Sequence, residues 1–192
     1  MSYLREQTEA LLFQLKHVAG LDGLALHELF AQADDATVKA LLESAMEFAN
    51  DQLVPLAASG DRDGCRLLNG QVALPPGSRE IYKQWCELGF PALGLPVAIE
   101  GLGLPRTVQS AVQELCDGAN LALGMLCINL RCAALALLKS ATAEQQARWV
   151  PGLVSGQLAS TIVISEPQAG SDVGRITTMA HPAADGHYAL TG

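Results

Sequence analysis

The feature that most constrains the fold is a change in side-chain pattern near Ser160. Before it, apolar residues recur at the spacing of a helix face, as Leu11, Leu15 and Val18 do. Residues 161–164 are instead an uninterrupted run of β-branched side chains, which favour strands. We therefore predict a mainly α chain, a helical bundle followed by the first strands of an antiparallel β-domain.

Capping residues and helix breakers predict where the helices begin and end. A long helix starts near Ala36, and Pro55 is expected to kink or end it. Residues 59–76 are rich in Gly, Asp and Asn and contain a Pro-Pro pair, so we expect a loop there. Asn120 is placed to start an apolar helix, and Thr142 opens a T-x-x-Q capping box.

The β part of the chain is predicted to be small. Residues 161–164 and 176–180 are expected strands, residues 182–186 a turn, and residues 187–190 a return strand. A lone hairpin with one extra strand is marginally stable as an independent unit. We therefore expect this antiparallel β-domain to be truncated.

These patterns divide the chain into three parts. We expect a helical extension over residues 1–35, a helical domain over residues 36–158 and the start of a β-domain over residues 159–192. The first boundary rests on the aspartates at 34 and 35, which can cap the long helix that follows.

Composition excludes several classes of function. The chain has 192 residues and a formal charge of −8 without a Lys/Arg cluster, so we expect no nucleic-acid partner. Its five cysteines are odd in number and lack C-x-x-C spacing. We interpret them as reduced core residues and expect no metal site. Because the charged N-terminus has no signal-peptide core, we predict a cytoplasmic protein.

Residues 121–138 form an apolar stretch long enough to raise the question of a membrane span. Asn129 and Arg131 lie at its centre, and an arginine there costs about 2.5–3.5 kcal/mol on insertion scales. We therefore predict the central helix of a bundle, surrounded by neighbours, and no membrane span. The two polar side chains are either satisfied core groups or groups that face a ligand pocket.

A short segment after the predicted strand carries the functional signal. The run of Ile162, Val163 and Ile164 leads into the sequence S-E-P-Q-A-G-S-D, from Ser165 to Asp172. A small Gly/Ser/Asp loop of this kind can bring backbone N–H groups close to an anionic ligand. The alternative is that the segment merely ends a strand, with Asp172 closing an Asx turn.

This segment resembles the flavin-binding signature of acyl-CoA dehydrogenases, in which a strand ends in [ST]-E-P-x-A-G-S-D. Further parts of that family's pattern are the G-L-G-L-P run from Gly101 to Pro105, the W-V-P-G-L-V-S-G run from Trp149 to Gly156, and residues 185–192. The resemblance extends from about Ala36 to the last residue. The N-terminal segment and the sequence G-D-R-D-G-C at residues 60–65 resemble a longer subgroup that includes methylthiopropanoyl-CoA dehydrogenase-like proteins.

The resemblance implies an FAD-dependent enzyme that oxidises an acyl-CoA thioester to the 2,3-enoyl-CoA. It places the flavin ring beside Ile162 and Ile164, with the Ser165 hydroxyl as a hydrogen-bond partner. Gly170 would let the backbone approach the cofactor closely, and Ser171 would contact the pyrophosphate or the CoA part of the substrate. An electron-transfer flavoprotein as electron acceptor and a homo-oligomeric state are also implied.

The resemblance implies that the catalytic base lies beyond residue 192, so we expect no catalytic residue here and no activity from this chain alone. Glu166 and Glu100 are not expected to be bases. The resemblance gives Glu166 a structural role, and Glu100 stands where the subgroup usually has a glycine. Two alternatives stay open: a non-enzymatic helical interaction module, and a nucleic-acid-binding relative of the same family, which the acidic charge disfavours.

Overall fold

The computed structural model describes residues 2–184 and 186–192, with side chains from residue 6 onward. Asp185, in the predicted turn over residues 182–186, therefore lies outside the described residues, as does Met1. The chain divides into two compact units, one that ends at Ser160 and one that begins at Thr161. The mainly α prediction is confirmed, since the first unit is built from helices and the strands form short antiparallel pairs.

The first unit contains the helices. In chain order the described residues form α1 (Ser2–His17), α2 (Leu21–Ala25), α3 (Asp35–Phe48), α4 (Val54–Asp63), α5 (Ser78–Glu87), α6 (Arg106–Ala119), α7 (Leu121–Ser140) and α8 (Ala143–Val154). Two antiparallel hairpins complete the structure, β1 (Arg66–Leu68) with β2 (Gln71–Ala73) and β3 (Met179–Pro182) with β4 (Tyr188–Thr191).

Two apolar clusters hold the helices together. The larger joins α1, α3 and α6, with Leu42 and Val108 completely buried at its centre and Leu11 beside them. The smaller joins α7 to α8 through Leu130 and Val150. The helices contribute apolar faces to these two cores. Burial of these faces explains why apolar residues recur at 3.6-residue spacing in the first 158 residues.

Pro55 interrupts the long helix without ending it. α3 passes into a π-helical turn over Ala49–Leu53 and then directly into α4, whose first turn contains Pro55. A proline has no N–H to donate, so the hydrogen-bond ladder of this continuous helix lacks one donor at residue 55. The change of hydrogen-bond pattern thus falls at the residues just before the proline.

The predicted loop over residues 59–76 is wrong. α4 continues to Asp63, and the β1–β2 hairpin follows, with Leu67 opposite Val72. Asn69 and Gly70 at the turn have positive φ values of 52° and 77°. Asn-Gly is the dipeptide that favours a two-residue hairpin turn, because both residues tolerate this conformation. The Asn-Gly dipeptide therefore indicated a hairpin turn. The prediction of a loop was wrong because it relied on the Gly, Asp and Pro content of the whole segment.

Two predicted helix starts are confirmed by their hydrogen bonds. Asn120 caps α7, since its Oδ1 accepts from the Leu123 N–H at 3.1 Å. The capping box of α8 is complete, with the Thr142 hydroxyl accepting from the Gln145 N–H and the Gln145 side chain accepting from the Thr142 N–H. Asn120 has a second role, because its side-chain amide donates to the Leu53 carbonyl oxygen at 3.4 Å.

α7 is long and apolar enough to cross a membrane by length and composition alone. One face is buried, and there the Arg131 guanidinium donates to the Gln113 side chain of α6 at 2.8 Å. This is a satisfied core group, as expected for a charged residue packed inside a protein. The prediction that neighbours surround the helix is wrong, because Leu121 and Met125 on its other face are exposed.

The cysteines are divided between core and surface. Cys116 and Cys127 are buried, as the core interpretation predicts, and burial raises the pKa of the Cys116 thiol to about 12. Cys65 and Cys132 are exposed, so the core interpretation is wrong for these two. Cys65 immediately precedes the exposed β1–β2 hairpin, and Cys132 lies on the outward face of α7.

The buried Asn120 side chain caps α7 and also links it to the π turn before α4. We expect Asn120→Ala to lower the free energy of unfolding by about 0.5–2 kcal/mol, measured by urea titration. Asn120→Ser retains a capping oxygen and should lose less. Equal losses for both variants would show that the cap contributes nothing and that only the amide contact to Leu53 matters.

Candidate functional site

The candidate site lies in the second unit, around the segment that precedes the Gly/Ser/Asp loop. Residues 161–165 form no strand, so the strand predicted there is wrong. No described residue pairs with their backbone, and Val163 is 92% exposed. A β-branched run becomes a strand when a neighbouring strand supplies hydrogen bonds, and within the described residues none does.

Four apolar side chains of the second unit line one concave surface. Its volume is about 520 Å³, and its lining comprises Ile162, Val163, Ile164, Ser165, Gly170 and Val173. Four of the five sequence-predicted site residues are thus brought together: Ile162, Ile164, Ser165 and Gly170. Ser171, the fifth, is exposed and does not belong to that lining. Val173 also lines the surface, although no sequence pattern pointed to it.

Ser165 and Gly170 lie side by side on this surface. A methyl group added at Gly170 would come 3.7 Å from the Ser165 Oγ, an ordinary van der Waals contact. The structure shows no hydrogen-bond partner for this hydroxyl among the described residues. The surface therefore combines apolar side chains, one free hydroxyl and backbone groups that other strands do not use, which suits a flat, largely apolar ligand with a polar edge.

Glu166 organises the residues that follow Ser165. Its Oε2 accepts from the Thr177 N–H at 2.9 Å and from the Thr177 hydroxyl at 2.8 Å, and its Oε1 accepts from the Thr178 N–H at 2.9 Å. The Gln168 side-chain amide also donates to this carboxylate. The hydrogen bonds from Thr178 and Thr177 lower the pKa of the Glu166 carboxyl to about 2.

These hydrogen bonds explain why the strand predicted over residues 176–180 begins later. Thr177 and Thr178 donate their N–H groups to Glu166, and β3 starts only at Met179. β3 then runs to Pro182, which was predicted to begin the turn but pairs with Tyr188. The predicted return strand over residues 187–190 corresponds to β4, Tyr188–Thr191.

Glu100 precedes the glycine run of the first unit, at a position where the resembling subgroup usually has glycine. Glu100 adopts a left-handed conformation with φ 65°, which glycine takes more readily. Gly101 follows, and a Cβ there would lie 2.1 Å from the Leu95 carbonyl oxygen, so close approach requires glycine. The Glu100 side chain is exposed.

Glu166, which the sequence analysis does not expect to be a base, does not have the environment of a general base. A base that acts near neutral pH needs a pKa near the operating pH, whereas the pKa of Glu166 is held at about 2. Both oxygens of its carboxylate already accept hydrogen bonds, from Gln168, Thr177 and Thr178.

The chain matches the family model described as acyl-CoA dehydrogenase, N-terminal domain, over residues 35–157. It belongs to the acyl-CoA dehydrogenase family, and the resemblance read from the sequence is confirmed. It is 31% identical over 182 residues to 3-methylmercaptopropionyl-CoA dehydrogenase of Ruegeria pomeroyi, a match that covers 95% of this chain and 31% of that protein. It is also 29% identical over 194 residues to the broad-specificity linear acyl-CoA dehydrogenase FadE5 of Mycobacterium tuberculosis, covering 100% of this chain and 31% of that protein.

Solved structures agree on the fold. Glutaryl-coenzyme A dehydrogenase in its glutaryl-CoA complex superposes with a TM-score of 0.69 at 24% identity, covering 81% of this chain and 37% of the other. Butyryl-CoA dehydrogenase from Megasphaera elsdenii gives a TM-score of 0.67 at 19% identity, covering 87% and 40%. The chain spans about a third of the length of the curated relatives described above, at 31% of each.

Proposed function

We propose that this chain supplies the N-terminal part of an FAD-dependent acyl-CoA dehydrogenase that oxidises an acyl-CoA thioester to the 2,3-enoyl-CoA. Residues 1–35 would form a helical extension, residues 36–158 the helical domain, and residues 159–192 the start of the β-domain that holds the flavin. The observation that carries the proposal is the concave surface that gathers Ile162, Ile164, Ser165 and Gly170.

The residues of this surface fit a flavin. Ile162 and Ile164 offer apolar area to a planar ring, with about half of each side chain exposed, at 52% and 48%. Ser165 offers a hydroxyl donor to a polar ring edge, and Gly170 leaves the space beside that hydroxyl open. We propose that Ser171, which is exposed in the loop that follows, binds the pyrophosphate or the CoA part of the substrate.

FAD, when bound, accepts the hydride that leaves the β-carbon of the acyl group. The role of this chain is to bind and orient it. A hydroxyl at Ser165 that already points at the ring edge can stabilise negative charge that develops there, because the donor needs no rearrangement during the reaction. The apolar side chains of Ile162 and Ile164 reduce the access of water to the same region.

The proton on the substrate α-carbon must be removed by a residue outside this chain in our account. Glu166 is held ionised by hydrogen bonds that lower its pKa to about 2, and Glu100 is exposed on a left-handed turn. We therefore propose that the chain by itself does not turn over acyl-CoA.

The proposed partners follow from the family. The curated relatives described above are acyl-CoA dehydrogenases, which supports an acyl-CoA substrate. The structure of the electron transferring flavoprotein of Acidaminococcus fermentans matches the fold of this chain with a TM-score of 0.68 at 21% identity. We propose a flavoprotein as electron acceptor, as the family resemblance implies. We also propose a homo-oligomer, as the family resemblance implies.

The proposal predicts a clear difference between this chain and the complete protein. We expect the isolated chain to bind FAD weakly or not at all and to show no dye-coupled oxidation of short or long acyl-CoAs, because neither Glu166 nor Glu100 acts as the base in our account. The complete protein should be yellow and active. Turnover by the isolated chain would contradict the assignment of the base, and a colourless complete protein that cannot be reconstituted would contradict the flavin site.

In the complete protein, Ser165→Ala should slow flavin reduction more than it weakens acyl-CoA binding. A donor that meets charge developing during the reaction acts mainly in the transition state, so its loss should raise the barrier by about 2.7–4 kcal/mol. Rapid-mixing absorbance measures the rate of reduction. Ser165→Thr keeps the hydroxyl and is the matched control. If Ser165→Ala is as fast as wild type, Ser165 has no role at the flavin.

A further inference from the structure

One carboxylate of the second unit ties together two segments that are far apart in sequence. Glu166 accepts hydrogen bonds from Thr177 and Thr178, eleven and twelve residues further along the chain. Gln168 strengthens the link, since its amide donates both to the Glu166 carboxylate and to the Thr177 hydroxyl, the latter at 2.9 Å. We call Glu166, Gln168, Thr177 and Thr178 the carboxylate clamp.

The clamp closes the base of the loop that carries the candidate site. On one side, the Glu166 N–H donates to the Ala169 carbonyl oxygen at 2.7 Å, and the Ala169 N–H donates back at 3.1 Å. Ser165 lies immediately before this tight turn, and Gly170 lies immediately after it. Val173 sits in the loop between the two clamped ends. The clamp therefore fixes three of the residues that line the concave surface.

The geometry points to Glu166 as the positioning residue for the flavin site: its carboxylate holds Ser165 and the loop from Gly170 to Val173 in their binding arrangement before any ligand arrives. This inference rests on the proposed flavin function of the same surface. Glu166 does not touch the reacting atoms in this account. It acts through the residues on either side of it.

The charge and the two oxygens are both required. Oε2 accepts from the Thr177 N–H, the Thr177 hydroxyl and the Gln168 amide, while Oε1 accepts from the Thr178 N–H. A glutamine at this position has one oxygen. If that oxygen replaces Oε2, the glutamine NH₂ faces the Thr178 N–H, so two donors meet and no hydrogen bond forms.

The first experiment needs no ligand. We expect Glu166→Gln in the 192-residue chain to speed amide hydrogen exchange at Thr178 by about tenfold or more, because a charge-assisted hydrogen bond is lost. Thr177 should be affected less, since a glutamine oxygen can still accept from it. Glu9→Gln, an exposed change on α1, is the matched control and should leave both amides unchanged. Helical circular dichroism equal to wild type confirms that the first unit folds in the variant.

The second experiment links the clamp to the ligand in the complete protein. Glu166→Gln should raise the Kd for FAD by about tenfold, measured by the change in flavin fluorescence on binding, while Glu9→Gln should not. Thr177→Val, which removes the hydroxyl donor, should also weaken FAD binding. Thr177→Ser keeps that donor and should restore affinity, and such a rescue would not be expected if the clamp had no effect on the site.

The outcomes separate the clamp from the flavin proposal. Unchanged exchange at Thr178 in Glu166→Gln overturns the clamp, whatever the ligand. Faster exchange with an unchanged Kd for FAD overturns the positioning role. If the wild-type complete protein binds no FAD, the proposed function fails, and the positioning role fails with it, while the exchange experiment still decides whether the clamp exists.

Discussion

Burial of the apolar faces of α3 and α6 against each other is the interaction on which the rest of the helical unit depends. Val38, Leu42 and Ala45 of α3 and Val108 and Leu115 of α6 are all completely buried in one cluster. α7 follows α6 after the single residue Asn120, so the position of α6 also sets where α7 starts. α8 in turn packs on α7 through the second cluster.

The second unit is held together in a different way. Its strands are exposed along their whole length, and the residues that line the concave surface are mostly exposed as well. Hydrogen bonds, above all those to Glu166, give its loop a defined shape where apolar burial is small. Apolar side chains left exposed in this way are typical of a surface that binds a ligand.

The sequence predicted best what depends on local pattern. The 3.6-residue spacing, the Asn120 cap and the Thr142 capping box each act over a few residues, and each was confirmed. Prediction failed where a distant partner decides the outcome. Residues 161–165 have strand-forming side chains but no neighbouring strand, and Thr177 and Thr178 give their N–H groups to a carboxylate that no periodicity reveals.

Prediction of the candidate site also succeeded for residues in a local signature and failed for a residue that the folded loop brings to it. Ile162, Ile164, Ser165 and Gly170 were predicted from a family signature, and they do line one surface. Val173 was missed because it belongs to that surface only after the loop closes. The Asn69–Gly70 turn was a different failure, since its local signal was present and the surrounding composition outweighed it.

The central claim is that the backbone of residues 161–172 meets FAD in the complete protein. The most direct test is hydrogen exchange with mass-spectrometric detection on that protein, with and without FAD. We predict that peptides covering Ile164, Ser165 and Gly170 exchange more slowly with FAD, whereas the β1–β2 hairpin, Arg66–Leu68 with Gln71–Ala73, does not change. FAD binding that leaves exchange over residues 161–172 unaltered would contradict the account.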